Sequence, residues 1–188
     1  MSARYFLLGL VGVSAVWAGE VLQVGVTRTD QRYAVDIDAR FNAPVERLRL
    51  LLTDYPQLSR INDSIVRSTV LERISAQQHK VRIEAHVCAG IFCKDLVQVQ
   101  AVSVLSDGSI FATILAPESD FRYGIARWQF WNESSGTRMR FHSEIEPAFW
   151  VPPIIGPWLI QHALQAETLK SVANLERLAE TRVDIPLP

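Results

Sequence analysis

The sequence predicts an α+β fold: a curved, one-sided antiparallel sheet of seven strands over a long C-terminal helix, with two short helices after the first strand. Three observations predict it. Apolar and polar residues alternate through most of the chain, short turn-forming clusters separate the alternating runs, and the last apolar run is helical and much longer than the others.

The first strand is read from Tyr33, Val35, Ile37, Ala39 and Phe41, which alternate with Asp36, Asp38 and Arg40 and leave one face wet. Asn42 and Ala43 precede Pro44, which suits a first helical turn, where a missing amide proton costs nothing. The helix that follows carries Val45, Leu48, Leu51 and Leu52 and stops at Asp54-Tyr55-Pro56, because the residue before proline is pushed out of helical geometry. A second short helix is expected through Leu58 and Ile61. Six strands follow, over 65–74, 79–88, 93–105, 109–116, 123–132 and 137–146, divided by turns at 76–78, 89–90, 106–108 and 134–136. Such short links make an antiparallel meander.

One apolar face is read from Val81, Ile83, Ala85 and Val87, then Val97, Val99 and Ala101, then Ala126, Trp128 and Phe130, and finally Met139, Phe141 and Ile145. Arg82, Glu84, Gln98, Gln100, Arg127, Arg138 and Arg140 occupy the other. The closing helix runs from about Ile154 to Glu180, about 40 Å at 1.5 Å per residue. Only that helix is long enough to cover the sheet's apolar face, so the sheet must curl around it.

The first 18 residues, MSARYFLLGLVGVSAVWA, place Arg4 ahead of an apolar stretch from Tyr5 to Trp17 and end with Val16 and Ala18 just before Gly19. This is the pattern of a secretory signal peptide, and the stretch is short of the roughly 20 apolar residues of a spanning helix. Retention as an uncleaved anchor is the alternative. Residues 19–188 then form one domain, expected to be exported to a periplasm or secreted. Cys88 and Cys93 flank Ala89, Gly90, Ile91 and Phe92, and an exported chain is expected to pair them across a hairpin loop. Thioredoxin-type redox chemistry uses two intervening residues rather than four. Zinc is weaker still, since His79 and His86 are seven apart and point to opposite faces of one strand. The formal net charge of -1 gives no general attraction for phosphate backbones, so nucleic acid is not an expected partner.

The order of elements, with the stretch FNAPVERLRLLLTDYPQLSRINDSIVRSTVLER, resembles the START-like (SRPBCC) superfamily, in the branch that groups polyketide cyclases with coenzyme-Q-binding and lipid-transport proteins. The matching features are Ala43-Pro44, Asp54-Tyr55-Pro56, the strand from Ile65 to Arg73, Ile145-Glu146-Pro147 with prolines beyond, and the ending Asn174-Leu175-Glu176-Arg177-Leu178. The resemblance covers nearly all of residues 19–188 and implies a helix-grip fold with a deep apolar cavity between sheet and helix. It also implies that the first strand pairs with the last, setting Asp36 and Asp38 beside Arg138, Arg140 and His142. Cross-strand ion pairs are the simplest account of those two carboxylates.

On a helical wheel Trp158, Leu159, His162, Ala163, Ala166, Leu169, Val172 and Ala173 share one side of the last helix. Three of the eight are alanine, so either backbones approach closely there or a ligand fills the gap. The resemblance favours the ligand. His162 is the titratable group of the stripe and is read either as an orienting donor to a carbonyl or quinone oxygen or as a core or rim histidine satisfied otherwise. Trp158, Trp128, Phe130 and Phe141 offer flat apolar surface to a ring or chain, or simply to the core. The segment 147–157, with Phe149, Trp150, Ile154 and Ile155, is read as a lid, a transient membrane contact or a plug folded onto the core. Asp120 and Phe121 mark a second rim.

No glycine-rich phosphate loop, nucleophile elbow or metal-ligand run is present, so no cofactor or metal is expected. The expected function is an exported protein that binds or carries a hydrophobic small molecule, such as a lipid, quinone or polyketide-like ring. Two rivals use the same features. One is a polyketide cyclase or dehydratase using His162 or Asp120 for proton transfer in the same cavity, and the other a module that docks segment 149–155 onto a membrane protein.

Overall fold

The structure, a computed structural model, describes residues 20–89, 91–151 and 156–181. The element order is β1 (Glu20–Thr29), β2 (Arg32–Phe41), α1 (Val45–Thr53), a 3-10 helix (Tyr55–Arg60), β3 (Ile65–Arg73), β4 (Gln78–Ala89), β5 (Phe92–Val104), β6 (Ile110–Ile114), a 3-10 turn (Ala116–Glu118), β7 (Phe121–Glu133), β8 (Gly136–Pro147) and α2 (Gly156–Glu180). All eight strands form one antiparallel sheet in the order β1-β2-β8-β7-β6-β5-β4-β3. The sequence predicts seven strands, and β1 is the additional one. Its pairing with β2 slips between Val21 and Gln23, Gly25 adds no side chain to its pattern, and most of its residues are exposed at the sheet edge. Those features erase the alternation by which a strand is recognised. Asp30 turns the chain into β2 with φ of 56°, a conformation aspartate tolerates.

The first short helix ends at Thr53, and the second is a single 3-10 segment with Pro56 in its first turn. The last helix is described from Gly156, and the two residues expected to open it, Ile154 and Ile155, lie outside the described residues.

The core forms where α1 and the C-terminal half of α2 meet β2. Val35, Ile37, Ala39 and Phe41 pack with Leu48, Val172, Leu175 and Leu178. Leu48 is entirely buried, so its truncation to alanine would remove one of the best-packed side chains in the molecule. Three polar ties set the angle of α2. The Asn42 amide donates to Glu176 Oε1 at 3.1 Å, and the Arg47 guanidinium donates to the carbonyls of Leu178 and Thr181, both at 3.1 Å. Arg47 thus satisfies carbonyls left open at a helix C-terminus and places a cation at the negative end of its dipole. Along the sheet, α2 packs on β1 and β2 at one flank and on β4 at the other.

The outer face carries the expected ion pairs. β2 lies beside β8, Arg138 grips both oxygens of Asp38 at 2.7 Å, and Arg140 reaches the same carboxylate at 3.0 Å. Asp36 meets His142 Nδ1 at 2.8 Å. Cys88 and Cys93 sit directly opposite each other near the tip of the β4–β5 hairpin and are joined by a disulfide. A bridge over so short a loop contributes about 2 kcal/mol in the chain-entropy model. Replacing both cysteines by serine is therefore expected to lower Tm by about 4–8 °C, measured by thermal circular dichroism, without changing the fold.

Candidate functional site

Between the concave face of the sheet and α2 lies a cavity of about 730 Å³, within the usual size of small-molecule sites. Its roof is α2, through Leu159, Ile160, Ala163 and Leu164 and further along Val172 and Leu175. Its floor comes from the segment after α1, with Tyr55, Leu58 and Ile61. The sheet supplies the long wall. Ile83, Ala85 and Val87 come from β4, Ala126 and Trp128 from β7, and Met139, Phe141 and Ile145 from β8, as the alternation predicts.

The space comes mainly from the sheet. Ala112 of β6 and Ala126 of β7 stand directly opposite each other on the wall, with Ala85 further along it. A pair of alanines at the centre of a curved sheet withholds the side chains that would otherwise reach the helix. α2 rests on the flanks of the sheet, so the middle strands span the gap.

Two sequence-based expectations about faces are corrected. The side of α2 that faces the cavity carries Leu159, Ile160, Ala163, Glu167, Thr168 and Ser171, whereas Trp158, His162, Ala166, Leu169 and Ala173 are exposed on its outer side. The wheel is rotated because polar Glu167, Thr168 and Ser171 occupy the inner side, while apolar residues also occur outside. Inside, Glu167 is satisfied by Ser64, whose hydroxyl donates at 2.5 Å, and by Lys170 at 3.2 Å. His162 lies against the Trp158 ring, centroids 4.3 Å apart, outside the cavity. The second correction concerns β5. Gln98 and Gln100 line the cavity, whereas Val99, expected on the apolar inner face, is buried on the opposite side of the strand. The link between β6 and β7 folds over that side: the Val99 amide donates to Ser119 Oγ at 2.9 Å and its carbonyl accepts from the Leu115 amide at 2.7 Å. Both faces of β5 are covered there, and alternation no longer tells inside from outside.

Of the remaining sequence-selected residues, Trp128 and Phe141 line the cavity with rings 4.8 Å apart. Phe130 continues the same face past the cavity into the core, under the Arg49 guanidinium. Phe121 is buried at the rim against the edge of Phe149, and Trp150 projects there 78% exposed. Asp120 points away from the cavity: its carboxylate accepts the Val97 amide at 2.7 Å and ties the β6–β7 link to β5. Phe92 and Lys94 complete the rim on the hairpin side, with the Lys94 ammonium 4.8 Å from the Phe149 ring centroid.

Sequence reasoning missed Tyr55, Ala112, Lys94 and the glutamine pair. Tyr55 is buried against His79, and burial pushes its phenol above the ordinary range, so it stays a neutral hydrogen-bonding group. The proline after it was the available signal, since a fixed turn leading back under the sheet places its neighbours in the floor.

A curved antiparallel sheet gripping a C-terminal helix around an apolar hollow defines a START-like, helix-grip fold. No family model matches the chain, and no curated protein matches it in sequence. Solved structures do match. The Zhui aromatase/cyclase of Streptomyces sp. R1128 superposes with a TM-score of 0.67 at 14% identity, over 79% of this chain and 94% of its own. A START superfamily protein of Mycobacterium smegmatis gives a TM-score of 0.62 at 20% identity, over 78% and 97%. A STAR-related lipid transfer protein of Xanthomonas axonopodis gives 0.59 at 10% identity, over 84% and 99%.

Proposed function

We propose that this chain is an exported carrier that holds a hydrophobic small molecule, such as a lipid, a quinone or a polyketide-like ring, between its sheet and α2. The single observation that carries the reading is the apolar cavity of about 730 Å³, into which Ala85, Ala112, Ala126 and Ala163 project where a packed core would place larger side chains. Affinity would come from burial of the guest at about 25 cal/mol per Å² of apolar surface. The fold neighbours support it by their descriptions, a lipid transfer protein and an aromatase/cyclase. Export is supported by the N-terminal segment MSARYFLLGLVGVSAVWA, cleaved or kept as an anchor, and by the disulfide. Phe92 and Trp150 of the cavity lining are exposed by 53% and 78%, and together with Ile91 of the adjoining hairpin turn would let the mouth touch the membrane from which a lipid is taken.

The cyclase alternative draws its proton carrier from His162 or Asp120, and both lie outside the cavity, while the acid–base groups inside, Lys94 at the mouth aside, are a Glu167 carboxylate engaged by Ser64 and Lys170 and a Tyr55 phenol that burial keeps neutral. The carrier is therefore the better reading. Protein purified gently from its exported fraction and sprayed under native conditions is expected to carry one co-purifying lipophile, released by organic solvent. A ligand-free mass, together with failure to take up any lipophile offered, would refute the carrier.

A further inference from the structure

The cavity lining holds one cation and one carboxylate among the described residues, Lys94 and Glu167, and they differ in their partners. Glu167 is engaged by Ser64 and Lys170. Lys94 makes no ion pair among the described residues. Its ammonium sits over the Phe149 ring at the mouth, and the neighbouring Asp95 is turned to the outer side of the hairpin, where it meets His86 at 2.6 Å. A cation over the Phe149 ring, in a lining that also includes Phe92 and Trp150, marks a place where an anionic group would be held while the apolar part of the same molecule is buried.

A second polar station lies on the same strand. Lys94, Leu96, Gln98 and Gln100 all face inward along β5. The Gln98 side chain donates to Gln100 Oε1 at 2.7 Å, and Gln100 is only 7% exposed. That bond leaves the pair one amide carbonyl and further N–H groups in an otherwise apolar wall. Four residues of extended strand separate Lys94 from Gln98, about 14 Å at about 3.4 Å per residue.

Building on the carrier reading, we propose that the guest is a single-chain amphiphile, with an acidic head group at Lys94 and a hydroxyl or carbonyl about 14 Å further in, at the Gln98–Gln100 pair. A fatty acid oxygenated on its chain has this pattern, since about eleven C–C bonds of an extended chain cover that distance.

The test uses three probes in equilibrium titrations with the folded protein: stearic acid, its methyl ester, and stearic acid hydroxylated about twelve carbons from the carboxyl. The wild type is expected to bind the acid about fivefold tighter than the ester, and the hydroxylated acid about fivefold tighter than the plain acid. Lys94→Met should erase the first ratio and keep the second. Gln98→Leu, with Gln100→Leu as an independent variant, should erase the second and keep the first. Ratios within one variant cancel any uniform loss of folded protein. Equal binding of acid and ester by the wild type, or an acid preference that survives Lys94→Met, overturns the head-group assignment. A hydroxyl that brings no gain overturns the inner station. If the wild type binds none of the three but takes up a quinone or a neutral lipophilic dye, the amphiphile proposal fails and the carrier reading stands; if it takes up none of these, the carrier reading itself fails.

Discussion

An Ala163→Trp variant is expected to lose lipophile binding while keeping its fold. Ala163 projects from α2 into the cavity, so an indole there occupies the space of the guest rather than displacing packed neighbours. Excluding about 100 Å² of guest surface at about 25 cal/mol per Å² weakens binding by about 2.5 kcal/mol, or about 70-fold. Stability should change by less than about 1 kcal/mol, since the exchange costs helix propensity and little else. Ala166→Trp is the matched control. It lies three residues further along, exposed on the outer side of the same helix, and is expected to leave binding unchanged. Fluorescence titration of both variants with one neutral lipophilic dye measures the contrast, and a reversed result would show that the helix presents its other side to the guest.

Asp38→Asn is expected to produce the largest loss of stability among the surface charges. The carboxylate is nearly buried, with its side chain 13% exposed, and accepts three guanidinium hydrogen bonds across the β2–β8 pair. Removing its charge should cost about 2 kcal/mol and lower Tm by about 4–8 °C. Arg138, then Arg140, holds the Asp38 carboxyl below its ordinary pKa of 3.8. Its contribution is therefore complete above pH 3.8 and disappears as pH falls through the lowered folded value. Wild type and variant should differ fully at neutral pH and converge in acid, in urea unfolding measured across that range. His142 acts in the opposite sense on the same strands. Its pKa is raised by the Asp36 hydrogen bond and then by Glu144, so its small, solvent-screened contribution is present below pH 6.5 and fades as pH rises through the raised value.

How far the fold could be read depended on how each element meets solvent. β2, β4 and β8 have one covered and one wet face, and their alternation gave both boundaries and orientation. β1 is an edge strand with a bulge and a central glycine, and nothing periodic survives in it. β5 is covered on both sides by cavity and loop, so Gln98 and Gln100 read as solvent-facing when they line the cavity. The rotation of α2 has a related origin. A helix that roofs a cavity can carry Glu167, Thr168 and Ser171 inward, and a wheel built on hydrophobicity turns away from them. Ala112 and Ala126 were the hardest to recognise, because an alanine on a strand looks the same in the sequence whether its neighbours close over it or leave a hollow. The disulfide needed only the spacing of two cysteines and the expectation of an oxidising compartment.

The central claim is that the hollow between the alanine-bearing wall and α2 admits a guest, and a crystal structure of the protein loaded with a brominated fatty acid tests it most directly. The expected result is an anomalous bromine peak inside the cavity, between Ala112 of the wall and Ala163 of the roof. Side chains packed across that space with no bromine within it would contradict the account.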